Sequence, residues 1–327
     1  PKAGEKNAVV SLHLFDVTSK VAKTVNLSNY NDFYIARLKW TNDANVLSAQ
    51  VLNRHQNNLD LLFVDGNSGV AKVVLNEKDN AYVDVTDNLT FLKDNSFIWT
   101  SEKDGFNHIY YYDKTGKLKN QVTKGNWEVT AYYGFDEKNK TVYYQSVENG
   151  SINRDVYAVK IDGKGKKRLS NQTGTNNATF SPNFQYYINS FSNVTTAPVY
   201  TLNSSKDGKT VKTIVENKAV QDKLATYDVA PKEFFTLTTE KGHNLNAWII
   251  KPKNFDTSKK YPVFMYQYSG PGSQQVANSW NGINDYWFMM LAQQGYLVVC
   301  VDGRGTGFKG AEFKKCTYKE LGKYEVE

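Results

Sequence analysis

Leu61-Leu62-Phe63-Val64-Asp65-Gly66 is an apolar, aromatic strand that ends on Asp and runs into a glycine turn, and the same phrase returns along the chain. It stands earlier as Leu12-His13-Leu14-Phe15-Asp16, later as Tyr110-Tyr111-Tyr112-Asp113-Lys114 and Ala158-Val159-Lys160-Ile161-Asp162-Gly163, and more weakly as Val199-Tyr200-Thr201-Leu202-Asn203. Asp16, Asp65, Asp113 and Asp162 are spaced by 49, 48 and 49 residues, with a step of 41 to Asn203. Two more strands precede the phrase inside each repeat, as in Ile35-Ala36-Arg37-Leu38-Lys39-Trp40 and Val46-Leu47-Ser48-Ala49-Gln50-Val51. Alternating segments bounded by Asn, Asp, Gly and Ser are the strand signal, and no helical period is sustained before about residue 217. Four antiparallel strands every ~40 to 50 residues make the blade of a β-propeller. The spacing predicts four whole blades between about residues 31 and 217, preceded by the closing hairpin of a fifth.

Past residue 217 the texture changes. Residues 218–232 read as a polar linker closing at Pro231, and residues 233–327 alternate strands with helical stretches. Strands are expected at Phe234-Phe235-Thr236-Leu237-Thr238, Leu245-Asn246-Ala247-Trp248-Ile249-Ile250 and Val263-Phe264-Met265-Tyr266-Gln267-Tyr268. A helix over 286–294 follows, then Tyr296-Leu297-Val298-Val299-Cys300-Val301, whose unbroken apolar run predicts a strand buried on both faces. Residues 310–327 have helical spacing. The fold class expected is a partial β-propeller over 1–217 followed by an incomplete α/β-hydrolase domain over 233–327.

Composition narrows the function classes. The chain has 327 residues, 40% of them apolar and 14% aromatic, which is too much core material for a disordered chain and enough for two domains. No apolar run approaches the ~20 residues needed to span a bilayer. Pro1-Lys2-Ala3-Gly4-Glu5-Lys6 carries neither Met nor a signal pattern, so the chain reads as cut at its start and again within its last helical stretch. The net charge of +7 comes from lysines spread through turns such as Lys164-Gly165-Lys166-Lys167-Arg168, a pattern of solvated surface rather than of nucleic-acid binding. Two cysteines, Cys300 and Cys316, are too few for a disulfide framework. Sequons at Asn26, Asn88, Asn177 and Asn193 are what an Asn-rich chain produces by chance. Neither His-x-x-x-His nor paired-Cys spacing is present, so no metal or other cofactor is expected.

Three segments carry a family resemblance. Tyr266-Gln267-Tyr268-Ser269-Gly270-Pro271-Gly272-Ser273, Val301-Asp302-Gly303-Arg304-Gly305-Thr306-Gly307 and Leu321-Gly322-Lys323-Tyr324-Glu325-Val326-Glu327 resemble the prolyl oligopeptidase family of serine peptidases, in its dipeptidyl peptidase IV branch. Upstream, Pro1-Lys2-Ala3-Gly4, Glu102-Lys103-Asp104-Gly105-Phe106-Asn107-His108-Ile109-Tyr110 and Lys124-Gly125-Asn126-Trp127-Glu128-Val129 resemble propeller motifs of that branch. The resemblance implies a propeller capping an α/β-hydrolase domain, a serine activated by histidine and aspartate, and release of N-terminal Xaa-Pro or Xaa-Ala dipeptides. It implies peptide substrates with a free N-terminus, a periplasmic or secreted location, and a homodimer. In this branch one oxyanion donor is a tyrosine hydroxyl from the loop after the third strand, and the matching residue is Tyr268. Gly270, Pro271, Asp302 and Arg304 are expected to support that loop.

The rest of the catalytic apparatus has no match here. Gly-x-Ser-x-Gly does not occur in the 327 residues, and His13, His55, His108 and His243 fall in repeats or in the turn just past the linker. The sequence therefore reads as a fragment lacking the triad and inactive alone. The run from Asp302 to Gly307 lacks the Gly-x-Gly-x-x-Gly spacing of a nucleotide loop. Two other readings stay open: an acylaminoacyl or prolyl oligopeptidase-like peptidase, and a non-catalytic propeller that binds protein partners.

Overall fold

A computed structural model describes residues 2–227 and 229–326. The chain divides into two compact units. The first runs to Asp104 and includes His108–Thr123; the second holds Gly105–Asn107 and the chain from Lys124 onward.

In the first unit, β1 (His13–Asp16) and β2 (Val21–Thr24) form a hairpin. β3 (Phe33–Trp40), β4 (Val46–Asn53), β5 (Asn58–Asp65) and β6 (Ala71–Lys78) make a four-stranded antiparallel sheet, and β7 (Thr90–Phe91), β8 (Phe97–Ser101), β9 (His108–Tyr112) and β10 (Leu118–Gln121) make the next. Each meanders in chain order, as a propeller blade does. Hairpin and first blade share a core of Leu12, Val25, Leu47, Val51 and Val64. The first and second blades share another, in which Leu59 and Leu61 pack with Phe97, Trp99 and Tyr110. Leu59 and Leu61 are completely buried, and each contributes about 1.5 to 3 kcal/mol.

The repeated aspartates hold the turns. Asp16 accepts from the backbone N–H groups of Thr18 and Ser19, Asp65 from those of Asn67 and Ser68, and Asp113 from those of Thr115 and Lys117. These are turns in which a carboxylate replaces backbone partners. In the weakest repeat the equivalent position is Ser204 rather than Asn203. Ser204 donates to Lys209 and accepts from Gly208 as Asp65 does with Val70 and Gly69, while Asn203 is a buried strand residue.

The second unit opens with two more blades: β11 (Val129–Asp136), β12 (Thr141–Ser146), β13 (Asp155–Lys160) and β14 (Lys167–Arg168), then β15 (Thr175–Phe180), β16 (Tyr186–Asn193), β17 (Thr196–Ser204) and β18 (Thr210–Val215). Four complete blades and a preceding hairpin thus match the sequence period. The segment read as a polar linker contains a short helix, α1 (Lys218–Leu224), which buries none of its residues and carries an i,i+4 ion pair between Lys218 and Asp222. With no buried face it leaves no apolar period in the sequence.

Beyond it, β19 (Glu233–Thr238), β20 (Asn244–Ile250), β21 (Val263–Tyr266) and β22 (Leu297–Asp302) form one sheet in the order β19-β20-β22-β21. β21 and β22 are parallel, and α2 (Ile283–Gln293) forms the crossover between them that a parallel pair requires. Phe288, Met289 and Ala292 of α2 pack on Trp248, Ile250, Val298 and Cys300. β22 is not buried on both faces as its composition suggests: Val298, Cys300 and Asp302 are buried, whereas Leu297, Val299 and Val301 are half-buried, because α2 covers one side. The expected helix over 310–327 is also cut short, to α3 (Ala311–Lys315). It gives way to i→i+3 turns at Tyr318 and Glu320, with Lys319 and Gly322 at positive φ, where an α-helix cannot continue. Among the described residues no helix is long and apolar enough to cross a membrane.

Candidate active site

The parallel strands β21 and β22 align Tyr266 with Cys300, so their carboxyl ends deliver the loops 267–276 and 303–310 to the same edge. In open α/β sheets this is where ligands bind. Two hydrogen bonds join the two loops, and two more tie the first loop to the end of β22. Gly272 N–H donates to the Gly305 carbonyl at 2.8 Å, and Gly307 N–H donates to the Ser273 carbonyl at 2.9 Å. The backbone N–H groups of Gln275 and Val276 donate to the two oxygens of Asp302, each at 2.9 Å. Asp302 is 3% exposed, and burial pushes its carboxyl above the ordinary carboxylate range against the pull of those two donors. The same burial pulls the neighbouring Lys309 ammonium down, with Asp302 opposing the shift, and pushes the Cys300 thiol up to about 12.

Tyr268 lies on the first loop with its side chain 57% exposed. Its ring folds back over Gly270, where an added Cβ would lie 3.0 Å from the ring and would push the phenol aside by a few tenths of an ångström. The loop is braced by Ser273 N–H donating to the Gly270 carbonyl at 3.0 Å and by the Ser273 hydroxyl donating to the Tyr268 carbonyl at 3.4 Å. Pro271 is exposed at the turn. Arg304, on the second loop, is half-buried with its guanidinium 4.5 Å from the centre of the Tyr324 ring. Tyr268, Gly270, Pro271 and Asp302 are thus gathered at one edge, with the Tyr268 side chain open to solvent. His243 closes the β19–β20 turn by accepting from Thr239 N–H, and His13 and His108 lie in β1 and β9.

Several residues that brace the site have no signature in the sequence. Arg154, from the loop before β13, donates to the side-chain oxygen of Gln274 and to the carbonyls of Ser151 and Asn153, and stacks 4.1 Å above the Phe308 ring. Burial lowers its pKa to about 10, with Glu128 opposing the shift. Gln274 donates back to the Ser151 carbonyl, Asn278 N–H to the Ile152 carbonyl, and Trp280 N–H to the Ser192 hydroxyl. Two of the propeller motifs noted above also act here. Glu128 accepts from Gly310 N–H at 2.7 Å, and the Gly105 carbonyl accepts from Ala311 N–H at 2.8 Å. Blade loops therefore fix both strand-end loops. Contacts separated by 120 residues, as Arg154 and Gln274 are, leave no local pattern to read.

Comparisons with known proteins agree with this architecture. Residues 1–198 match the family model described as the dipeptidyl peptidase IV (DPP IV) N-terminal region, and residues 284–327 match that of the prolyl oligopeptidase family. Among curated proteins, dipeptidyl peptidase 4 of Trichophyton rubrum is 32% identical over 340 residues, an alignment that takes in 100% of this chain and 44% of the relative. The Trichophyton equinum protein of the same name is 31% identical, with the same coverage. Among solved structures, Porphyromonas gingivalis dipeptidyl peptidase 4 superposes with a TM-score of 0.93 at 45% identity, covering 99% of this chain and 46% of that one. A putative dipeptidyl aminopeptidase IV from Bacteroides ovatus superposes with a TM-score of 0.86 at 26% identity, covering 98% of this chain and 48% of that one. The chain spans less than half the length of these relatives.

Proposed function

The chain belongs to the dipeptidyl peptidase IV family, and from that premise we propose that it supplies propeller blades and the first part of the catalytic domain of a serine dipeptidyl peptidase. The proposed domains are a partial propeller over 1–217, a linker over 218–232 and the start of an α/β-hydrolase domain over 233–327. The proposed reaction releases N-terminal Xaa-Pro or Xaa-Ala dipeptides from peptides with a free amine.

Within that reaction Tyr268 is the catalytic residue of this chain. As a serine oxygen adds to the scissile carbonyl, negative charge grows on the carbonyl oxygen, and the phenol O–H of Tyr268 donates a hydrogen bond to it. A donor already in place pays no reorganisation cost when that charge appears, which is why such groups contribute several kcal/mol. Gly270 and Pro271 shape the turn that presents the phenol. Asp302 anchors that turn to β22, and Arg304 supports the loop behind it. The observation that carries this reading is the set of four hydrogen bonds that tie the first loop to the second and to Asp302 of β22, with the Tyr268 side chain left exposed. The serine, aspartate and histidine of the triad are assigned to sequence outside these 327 residues, none of which form a Gly-x-Ser-x-Gly elbow.

The accompanying location is the periplasm or the extracellular space, and the accompanying assembly is a homodimer. The reading is tested with the full-length gene product on a fluorogenic Gly-Pro amide and on the same amide acetylated at its N-terminus. Cleavage of the free-amine substrate alone supports a dipeptidyl peptidase. Equal cleavage of the acetylated one indicates an acylaminoacyl or prolyl oligopeptidase-like enzyme, and cleavage of neither leaves a binding propeller.

A further inference from the structure

The blade β11–β14 and the blade β15–β18 do not close on each other completely. Between them lies a cavity of 660 Å³. It opens where the turns around Asn139, Gly165, Asn183 and Lys206 come together. Those turns are at the opposite ends of the strands from the loops at Ile152 and Ser192 that meet the catalytic half. The cavity is thus separate from the candidate active site.

Its lining has a definite chemistry. Lys160, Lys167 and Lys206 contribute three ammonium groups, and no carboxylate is found among the described residues that line it. Lys160 donates to the Asn139 carbonyl and the Thr141 hydroxyl, and Lys167 donates to the Lys206 carbonyl, so neutral oxygens hold these cations without cancelling their charge. The nearby Asp207 carboxylate is taken up by the backbone N–H and ammonium of Lys209, and that N–H does most to hold its pKa below the ordinary value, with Lys167 adding a smaller pull.

The aromatic wall is built with equal care. Phe184 adopts φ 54, a left-handed conformation that costs a non-glycine residue about 1 kcal/mol or more. Its ring is nonetheless held in parallel stacking on Tyr143, with centroids 5.2 Å apart. Gly134 makes room for it, since a Cβ there would lie 2.7 Å from the ring. Beside it Tyr186 is 45% exposed at the cavity mouth.

We propose that this seam is a binding site for an anionic oligosaccharide, one bearing sulfate or uronic-acid groups. An exposed aromatic face, side-chain amides at Asn183 and Gln185, and three lysines outside any ion pair among the described residues suit a ligand that presents apolar ring faces, many hydroxyls and negative charge together. A half-open seam of this size holds one or two sugar rings rather than an extended strand.

The test is titration calorimetry of the chain at low salt with a sulfated, uronic-acid-containing disaccharide derived from heparin. Maltose, sodium sulfate and a short oligothymidylate serve as comparison ligands. Saturable binding to one site is expected, weakening with added salt. Lys206→Gln is expected to weaken it about tenfold, and Tyr186→Ala by about two- to tenfold. Both residues are exposed, so the thermal unfolding of both variants should match that of the parent. Lys259→Gln, on the exposed connection between β20 and β21, should bind as the parent does. Absence of binding, equal affinity for maltose or for sulfate alone, tighter binding of the oligonucleotide, or an equal loss in Lys259→Gln would each overturn the proposal.

Discussion

The carboxylate of Asp302, the last residue of β22, accepts the backbone N–H of Gln275 at 2.9 Å, and its second oxygen accepts that of Val276 at the same distance. One buried side chain thereby sets where the loop bearing Tyr268 leaves its strand. Asparagine offers a single acceptor in this place and strands one buried N–H. Asp302→Asn is therefore expected to cost about 1 to 3 kcal/mol, read as a lower urea midpoint. Faster amide exchange at Gln275 and Val276 should accompany it. An unchanged midpoint with unchanged exchange would show that the loop is held by other bonds.

A second buried contact joins the segment just before β19 to α2. Lys232 meets Asp285 in the first turn of α2 at 2.7 Å, with side chains 3% and 5% exposed, and its ammonium lies 4.6 Å from the centre of the Trp248 ring. Removing one partner leaves an uncompensated buried charge. Lys232→Met alone is expected to destabilise by about 3 to 5 kcal/mol, and the double change Lys232→Met with Asp285→Leu to recover most of that. A double-mutant cycle in chemical denaturation measures both. A double variant no better than the single one would contradict the pairing.

The turn aspartates give a pH dependence whose sign follows from their shifts. Backbone and hydroxyl donors from Ser19 hold the Asp16 carboxyl below its ordinary value; the Ser68 hydroxyl and N–H do so for Asp65, and the Thr115 hydroxyl and N–H for Asp113. A depressed folded-state pKa means stability that is full above the unfolded value of about 3.9 and is lost as pH falls through the folded one. Melting temperature should therefore fall below about pH 4, and Asp65→Asn should flatten that fall. A slope unchanged by the substitution would assign acid sensitivity elsewhere.

β21 lies at the edge of its sheet, and Val263, Phe264 and Met265 are 61%, 38% and 53% exposed. An open edge with apolar side chains is a template for pairing with another chain. Sedimentation velocity should show concentration-dependent association of the chain, reduced by Met265→Lys. A sharp monomer at high concentration would count against this.

The blades were legible in the sequence because each depends on local features: alternating apolar residues and an aspartate that accepts its own turn's N–H groups. The fifth marker slipped by one residue because Ser204 carries that turn with its backbone and with a hydroxyl that accepts from Lys206 N–H, and has no carboxylate to mark it. α1 was invisible because it buries no residue, and the end of α3 because positive φ at Lys319 leaves no compositional trace. Tyr268, Gly270, Pro271, Asp302 and Arg304 could be named from a motif. The seat that Arg154, Glu128 and Gly105 make for the two loops could not, since it exists only once distant segments meet.

The central claim is that the Tyr268 phenol stabilises the developing oxyanion. Steady-state hydrolysis of a fluorogenic Gly-Pro amide by the full-length gene product, parent against Tyr268→Phe, tests it most directly. The side chain is 57% exposed, so removing its hydroxyl should leave stability and KM nearly unchanged. Turnover is predicted to fall by roughly 10² to 10³. A kcat equal to that of the parent would contradict the assignment and remove Tyr268 from the mechanism.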